Sequence, residues 1–247
     1  MGPSSATVVV DDVVGVGQSV VSVHPVVLPA PGRGEDLRVR VAAPAGGTDL
    51  PVILFAHGFG SSSHAYHPLT DFWAAHGFVV VAPTFVDSRT SALRSDDSRR
   101  PRWWRDRVED MTRVLDGFDV VEAALPGLAG RVDRGRIAVA GHSFGGQTAA
   151  VLLGLRVGDA DGGMGPDLSD RRVGAGVLLA TAGEGGDALR PGVAEQLPWL
   201  AAPRFDTMTT PSLVIRGDAD VNPLTTRGPT GVPSRSGSRP APGTWSA

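Results

Sequence analysis

Short apolar runs, separated by longer segments that mix apolar and charged residues, make up most of the 247-residue chain. The runs lie in Pro51–Gly58, Phe78–Thr84, Arg136–Ser143, Ala175–Thr181 and Pro211–Asp218. Continuous apolar runs of this length are typical of strands that are buried on both faces of a parallel sheet. The pattern therefore predicts a parallel sheet at the centre of the fold.

Two earlier segments have the pattern of half-exposed strands. Ser19–Leu28 is rich in β-branched residues and is interrupted by Pro25, and Asp36–Pro44 alternates apolar with polar residues. Such alternation is typical of strands with one face in solvent. We expect these segments to form antiparallel strands at the N-terminal edge of the sheet.

Helices are predicted between the buried strands. His67–Gly77 ends at a glycine suited to a helix C-cap, Trp103–Leu125 has apolar residues at helical spacing, and Phe144–Leu155 is rich in alanine and leucine. Strands that alternate with helices favour an α/β fold with a mostly parallel, doubly wound sheet. No repeat or linker interrupts this pattern before Arg227, so residues 1–227 are expected to form one domain.

Two segments lack this regularity. Gly158–Arg172 is polar and rich in glycine, and its acidic residues resemble a calcium loop, but their spacing does not match an EF-hand. A solvated surface loop is the favoured interpretation. Residues 228–247 are dominated by Gly, Pro, Ser and Arg without hydrophobic periodicity, so we expect a disordered tail.

Composition narrows the classes of function. With a net charge of −3, the chain has no excess of positive charge that would favour binding to nucleic acid. No apolar run approaches the roughly 18 residues that are needed to span a bilayer. The absence of cysteine excludes disulfides and thiolate metal sites, and the N-terminal residues do not resemble a signal peptide. These features predict a cytoplasmic protein. Separately from composition, we expect a small-molecule substrate and no metal or other cofactor.

The sequence GHSFG at residues 141–145 contains the first candidate for chemistry. It has the spacing G-x-S-x-G and lies between a predicted buried strand and a predicted helix. A nucleophilic serine in this setting occupies a tight turn, where side chains at the flanking glycines would clash. Ser143 is therefore the candidate nucleophile, with Gly141 and Gly145 as the glycines of the turn. A purely structural turn is the alternative.

Two backbone amides are predicted to form an oxyanion hole. Acyl transfer requires two N–H donors that point at the tetrahedral oxyanion. One is expected from Phe144, directly after the nucleophile, and the other from Phe59 in the HGFG sequence that follows the first buried strand. An ordinary glycine-rich strand exit is the alternative for the HGFG sequence.

The sequence RGDADVNPL at residues 216–224 follows the last predicted strand and contains the candidate acid. A triad acid in a sheet of this kind lies on a loop after a late strand. Asp218 and Asp220 both meet this condition. Asp220 is preferred for its Gly-x-x-Asp spacing to Gly217, and Asp218 is otherwise a turn residue.

These motifs, with the WWRDRVEDMTRVLD helix, resemble the chlorophyllase-like and dienelactone-hydrolase-like branch of the α/β-hydrolases over residues 20–227. Polyester hydrolases and platelet-activating-factor acetylhydrolases are similar around the first two motifs. The resemblance implies an α/β-hydrolase fold and a serine hydrolase of carboxylic esters, with the site residues named above and Asp220 as acid. Plant chlorophyllases are expected to carry their acid after the strand that follows the serine, where this chain reads LLATAGEGG. Chlorophyll is therefore not implied as the substrate.

The histidines of the chain precede the candidate acid. His142 is expected to pack beside the serine turn, and His57 to hold the HGFG segment through hydrogen bonds. His64, His67 and His76 are expected to have surface or capping roles, with the wall of the substrate cleft as the alternative for His64 and His67. The paired tryptophans at the start of the second helix are expected to pack, with an acyl-pocket wall as the alternative.

No histidine follows Asp220, although a triad of this kind has its histidine there. All 23 Lys and Arg residues are arginine, which indicates a GC-rich gene, and such a gene read out of register yields Gly, Pro, Arg, Ser and Ala. We therefore expect the last strand, the histidine loop and the covering helix to be missing from this sequence, and a one-nucleotide change of frame near Gly228 to restore them.

Three hypotheses for function follow from these observations. The first is a serine esterase with an altered C-terminus, which is inactive as written. The second is a non-catalytic α/β-hydrolase-fold protein that binds an ester or an acid. The third is an esterase whose base is His64 or His67.

Overall fold

A central sheet of seven strands organises the part of the chain that a computed structural model describes, residues 17–91, 97–158, 163–183 and 185–226. The strands are β1 Val20–Leu28, β2 Leu37–Pro44, β3 Leu50–Ala56, β4 Val79–Pro83, β5 Val132–His142, β6 Arg156–Val157, β7 Val173–Leu179, β8 Pro203–Arg204 and β9 Ser212–Ile215. The sheet has the order β1-β2-β4-β3-β5-β7-β9, and β6 pairs with β8 separately. The tail and the frame change expected near Gly228 lie outside the described residues.

The direction of the strands changes once across the sheet. β1 pairs with β2 and β2 with β4 in antiparallel fashion, whereas the β4-β3-β5-β7-β9 part is entirely parallel. The predicted arrangement, a mostly parallel sheet with antiparallel N-terminal strands, is confirmed. At the far edge, the β9 residues Leu213, Val214 and Ile215 remain 58%, 41% and 46% exposed.

Helices cover both faces of the sheet. They are α1 His67–Ala75, α2 Trp103–Asp116, α3 Phe118–Ala124, α4 Phe144–Leu152 and α5 Val193–Gln196, with 3₁₀ turns at His64–Tyr66, Arg100–Arg102, Gly186–Ala188, Pro198–Leu200 and Phe205–Thr207. The sequence predicted one helical segment over Trp103–Leu125, but the helix breaks at Gly117. Glycine is a weak helix former, and a Cβ there would lie 3.3 Å from a methyl carbon of Leu28. The break lets β1 approach the helices closely.

The continuous apolar runs arise because both faces of the strands are buried. In β3, Val52 and Leu54 belong to the core beneath α2, whereas Ile53 and Phe55 belong to the core beneath α1. Alternate side chains of a strand point to opposite faces, so a strand with two covered faces needs apolar residues at every position. This accounts for the apolar run of β3, whereas the run in β9, which was also predicted to be buried on both faces, is exposed at the edge of the sheet.

The acidic residues of the Gly158–Arg172 loop pair with arginines where the loop is described. Asp167 lies 3.4 Å from Arg156, and Asp170 lies 2.6 Å from Arg172. Within the described part of the chain, no group of three His, Asp or Glu residues is placed to hold a metal ion. No helix in that same part is long and apolar enough to cross a bilayer.

The topology collects the candidate site residues at one edge of the sheet. His57 follows β3, Ser143 follows β5 and Asp220 follows β9. These three strands are parallel, so their carboxyl ends lie at the same edge, where α/β sheets bind ligands.

Candidate active site

Ser143 occupies a strained turn between β5 and α4. Its backbone has φ 55° and ψ −118°, in a region that side-chain-bearing residues rarely adopt. The Ser143 amide donates to Leu179 O (2.8 Å), and its carbonyl accepts from the Gly146 amide (2.9 Å) and the Thr181 hydroxyl (3.1 Å). Such strain costs on the order of 1–3 kcal/mol and persists only where surrounding contacts impose it.

The glycines on either side of Ser143 are required by backbone contacts. A Cβ at Gly141 would lie 2.0 Å from the carbonyl oxygen of Gly145. A Cβ at Gly145 would lie 2.0 Å from the carbonyl oxygen of Ala56, at the end of β3. No side chain fits at either position, so the turn, helix α4 and strand β3 meet backbone to backbone.

A cavity of about 320 Å³ opens beside Ser143. Aromatic rings form much of its wall: the Phe144 and Trp199 rings stack with centroids 5.6 Å apart, and the Phe59 and Phe144 centroids are 6.2 Å apart. Its lining residues are Phe59, Arg100, Ser143, Phe144, Gln147, Ala182, Gln196, Leu197, Trp199, Leu200, Asn222, Pro223 and Leu224. The candidate nucleophile therefore faces an aromatic pocket of small-molecule size.

The two residues predicted to supply the oxyanion hole both line this cavity. Phe144 is the first residue of α4, so its amide has no acceptor within the helix. The Phe59 amide donates to no atom of the described residues, and the Phe59 side chain is 54% exposed. Neither amide has a hydrogen-bond acceptor among the described residues.

His57 is buried and both of its ring nitrogens are engaged. Nδ1 lies 2.7 Å from the carbonyl oxygen of Gly58, and Nε2 lies 3.0 Å from the amide of Phe85. A carbonyl can only accept and an amide can only donate, so the ring is neutral with its proton on Nδ1. Burial, followed by the nearby Arg107 cation, lowers the pKa of His57 from 6.5 to about 3. The expected structural role of His57 has support in these contacts.

This buried neutral ring is expected to make the protein less stable in acid. The pKa of His57 is lower in the folded state, so the unfolded state binds more protons between pH 6.5 and about pH 3. The contribution of the neutral His57 ring to the free energy of unfolding is complete above pH 6.5. It decreases as the pH falls, by on the order of 3 kcal/mol at pH 4. Urea unfolding should show the free energies of the wild type and His57→Gln converging as the pH is lowered.

An independent measurement covers the case in which His57→Gln does not fold. In the wild type, the NMR signals of the His57 ring should not shift between pH 8 and pH 5. A titration midpoint near 6.5 for His57 would contradict the assignment.

His142 is linked to the candidate acid and to the first loop. Its Nδ1 lies 2.7 Å from the Tyr66 hydroxyl, which also accepts from the Gly58 amide (3.2 Å). Partial burial lowers the pKa of His142, and the Asp220 carboxylate opposes this by raising it. Asp220 is half-buried, whereas Asp218 is exposed. The expected packing role of His142 omitted this contact with Tyr66 and its proximity to Asp220.

The cavity lining does not include the residues of two sequence-based alternatives. His64 and His67 are not among the residues that line the cavity; both are exposed, their rings are 5.3 Å apart, and His67 lies 3.7 Å from Asp71. His67 is the first residue of α1, and His64 lies in the 3₁₀ turn before it. Trp103 and Trp104 also lie outside the lining: Trp103 is buried with its ring centroid 6.2 Å from that of Phe59, and Trp104 is partly buried and packs against the core.

The sequence analysis missed the ion pair of Arg107 and Asp87 beneath the site. Both side chains are 0% exposed. Arg107 is four residues from both Trp103 and Met111, which places an arginine on the apolar face of α2. An arginine on the apolar face of a helix is the sequence signal that could have identified Arg107 as a buried charge. No such signal marks Asp87, which lies in the loop after β4.

Comparison with known proteins identifies a family whose model matches this chain and solved structures that share its fold. A model of the chlorophyllase family matches residues 9–161. A platelet-activating factor acetylhydrolase from Cavia porcellus is 27% identical over 141 residues, covering 43% of this chain and 32% of that protein. Chloroplastic chlorophyllase-1 from Citrus sinensis is 32% identical over 124 residues, covering 48% and 32%. The chain thus spans about a third of the length of these curated relatives.

Two solved structures share the architecture. A protein named as a dienelactone hydrolase from Klebsiella pneumoniae has a TM-score of 0.51 at 16% identity, covering 87% of this chain and 76% of that one. Ferulic acid esterase from Streptomyces cinnamoneus has a TM-score of 0.52 at 19% identity, covering 84% and 75%. Likeness at these identities concerns the fold alone, and it confirms the predicted α/β-hydrolase fold.

Proposed function

Because the chain belongs to the chlorophyllase family, we propose that it is a serine hydrolase that cleaves carboxylic esters with Ser143 as nucleophile. The observation that carries this proposal is the strained turn that holds Ser143 at the end of β5, facing the aromatic cavity. A strained serine at a strand-to-helix turn is the arrangement in which α/β-hydrolases expose their nucleophile.

The proposed reaction proceeds through an acyl-enzyme. The Ser143 oxygen attacks the ester carbonyl carbon while a base takes its proton, and the carbonyl oxygen becomes an oxyanion near the Phe59 and Phe144 amides. The carbon–oxygen bond to the alcohol then breaks, and the alcohol leaves with the proton held by the base. Water releases the acid by the same two steps and regenerates the serine.

The cavity supports a small-molecule ester as substrate. A volume of about 320 Å³ lies within the range of ligand pockets, and the Phe59, Phe144 and Trp199 rings suit an apolar group of the ester. Chlorophyll is not proposed as the substrate, because this chain reads LLATAGEGG where plant chlorophyllases are expected to carry their acid.

A fluorophosphonate probe tests the proposal. We expect it to label Ser143, identified by mass spectrometry of the labelled peptide, and we expect turnover of p-nitrophenyl acetate, whose good leaving group suits a weak site. A folded protein that neither labels nor turns over would instead be a non-catalytic binder of esters or acids.

The same probe identifies the base. His57 is a poor candidate because both of its nitrogens are engaged. Loss of labelling in His142→Ala would assign the base to His142, whose pKa is lowered by burial, an effect that the Asp220 carboxylate opposes. Loss of labelling in His64→Ala or His67→Ala would instead assign the role of base to that histidine.

Asp220→Asn is expected to lower kcat on p-nitrophenyl acetate about tenfold or more, and by more than Asp218→Asn. Asp220 is the carboxylate that acts on His142, and an amide cannot stabilise an imidazolium. The NMR titration of His142 supplies the matched readout: its pKa should fall in Asp220→Asn and stay unchanged in Asp218→Asn. A larger loss of kcat in Asp218→Asn would assign the acid to Asp218.

A further inference from the structure

A buried ion pair lies directly beneath the proposed oxyanion hole. Arg107 of α2 places Nη1 3.0 Å from both carboxylate oxygens of Asp87, and both side chains are 0% exposed. Burying two charges costs desolvation energy, and apolar replacements of such pairs are often neutral or stabilising. A contribution to folding stability is therefore a weak explanation for the presence of this ion pair. The other contacts of Arg107 and Asp87 indicate a different role.

The pair holds the segment that carries Phe59 from both ends. Arg107 Nη2 donates a hydrogen bond to the carbonyl oxygen of His57, two residues before Phe59. Asp87 Oδ2 accepts from the amide of Gly60, directly after Phe59. The His57–Gly58 and Phe59–Gly60 peptide units, on either side of the unit that carries the Phe59 amide, are therefore held by one buried pair of charges.

The same guanidinium also holds the segment that carries Phe144. It lies over the Phe144 ring at 4.3 Å from the centroid, with the Phe85 ring at 4.1 Å. Arg107 Nε donates to the hydroxyl of Thr148 (3.1 Å), and that hydroxyl donates to the carbonyl oxygen of Phe144 (3.1 Å). One side chain thus contacts both segments that would supply the oxyanion donors.

We propose that Arg107 and Asp87 are positioning residues that set the spacing between the Phe59 and Phe144 amides. The inference rests on the proposed function, because it gives these amides the task of binding the oxyanion. Neither residue touches the substrate in this arrangement. They act by keeping the first loop and the start of α4 at a fixed separation.

Fixed separation matters because oxyanion donors act over a narrow range of distance. They must lie about 2.7–3.1 Å from the oxyanion, and they stabilise the transition state more than the bound ester. A loosened pair should therefore lower kcat and leave KM nearly unchanged. A purely structural pair would lower the amount of folded enzyme and leave the rate per active site unchanged.

The test compares Arg107→Met and Asp87→Ala with Arg33→Met as a matched control. Arg33 also forms a buried ion pair, at 3.0 Å from Asp110, but its hydrogen bonds go to Asp110, Glu35 and Thr84 rather than to the oxyanion segments. Rates are expressed per active site, counted by the endpoint of fluorophosphonate labelling, and thermal unfolding is measured for each variant.

We expect Arg107→Met and Asp87→Ala to lower kcat per labelled site about tenfold or more with KM nearly unchanged. Their affinity for a boronic acid, which forms a tetrahedral adduct with the serine, should fall in parallel. Asp87→Asn keeps an oxygen acceptor for Gly60 and should recover part of the loss. Arg33→Met should lose thermal stability without losing rate per site.

The outcomes separate this inference from the proposed function. A wild type that is neither labelled nor active would overturn both. An active wild type whose Arg107→Met and Asp87→Ala variants keep the wild-type rate per site would overturn only the positioning role. Should Arg107→Met not fold, Asp87→Asn and Arg107→Lys decide by the same readouts: a normal rate and normal boronate affinity in both would overturn it.

Discussion

Ser143→Ala is expected to abolish ester hydrolysis while leaving the fold intact. Removing the nucleophile of a complete catalytic triad costs about 10⁴-fold or more in kcat, because only binding and the oxyanion hole remain. The Ser143 hydroxyl makes no hydrogen bond within the described residues, so its loss leaves no partner unsatisfied. The measurements are turnover of p-nitrophenyl acetate and the thermal unfolding midpoint, which should stay within a few degrees of the wild type.

Ser62→Ala is the control, because Ser62 is a half-buried serine in the first loop outside the cavity lining. It should retain wild-type turnover and labelling. If Ser143→Ala kept most of its activity, the nucleophile would have to lie elsewhere. Loss of activity together with unfolding would point to a structural role of the Ser143 turn.

The sheet could be predicted because a strand that is buried on both faces has a continuous run of apolar residues in the sequence. Val52–Phe55 is apolar at each position since alternate residues enter different cores. The predicted strands appear in the structure close to their expected bounds. Gly117 could not be foreseen as a helix break, because glycine within a helix is often tolerated and the Leu28 contact is formed by a distant strand.

The candidate site was predictable where chemistry imposes a local pattern. The glycines around Ser143 are fixed by contacts within a few residues and with the end of β3, so they form a readable motif. For His64 and His67 no local motif exists, so the sequence left a surface role and a place in the cleft wall as alternatives. The Arg107–Asp87 pair joins a helix to a loop twenty residues away, and a single sequence carries no record of such pairing.

Gly145→Ala is expected to destabilise the protein by about 4 kcal/mol or more and to lower kcat about a hundredfold in whatever folds. In an exposed helix the same change adds stability, since alanine is the better helix former. Here the added Cβ would lie 2.0 Å from Ala56 O, 2.6 Å from Ala56 C and 2.7 Å from His57 O. These are backbone atoms, so no side-chain rotation relieves the clash.

The clash must be relieved by moving α4 away from the end of β3, and that movement separates the segments that carry Phe144 and Phe59. Gly174→Ala is the matched control: this glycine lies in β7, and the nearest atom to its new Cβ is 3.9 Å away. Thermal unfolding and turnover per labelled site should be close to wild type in Gly174→Ala and strongly reduced in Gly145→Ala. A Gly145→Ala protein with wild-type stability and rate would show that α4 and β3 do not meet backbone to backbone, and the proposed oxyanion hole would lose its geometric basis.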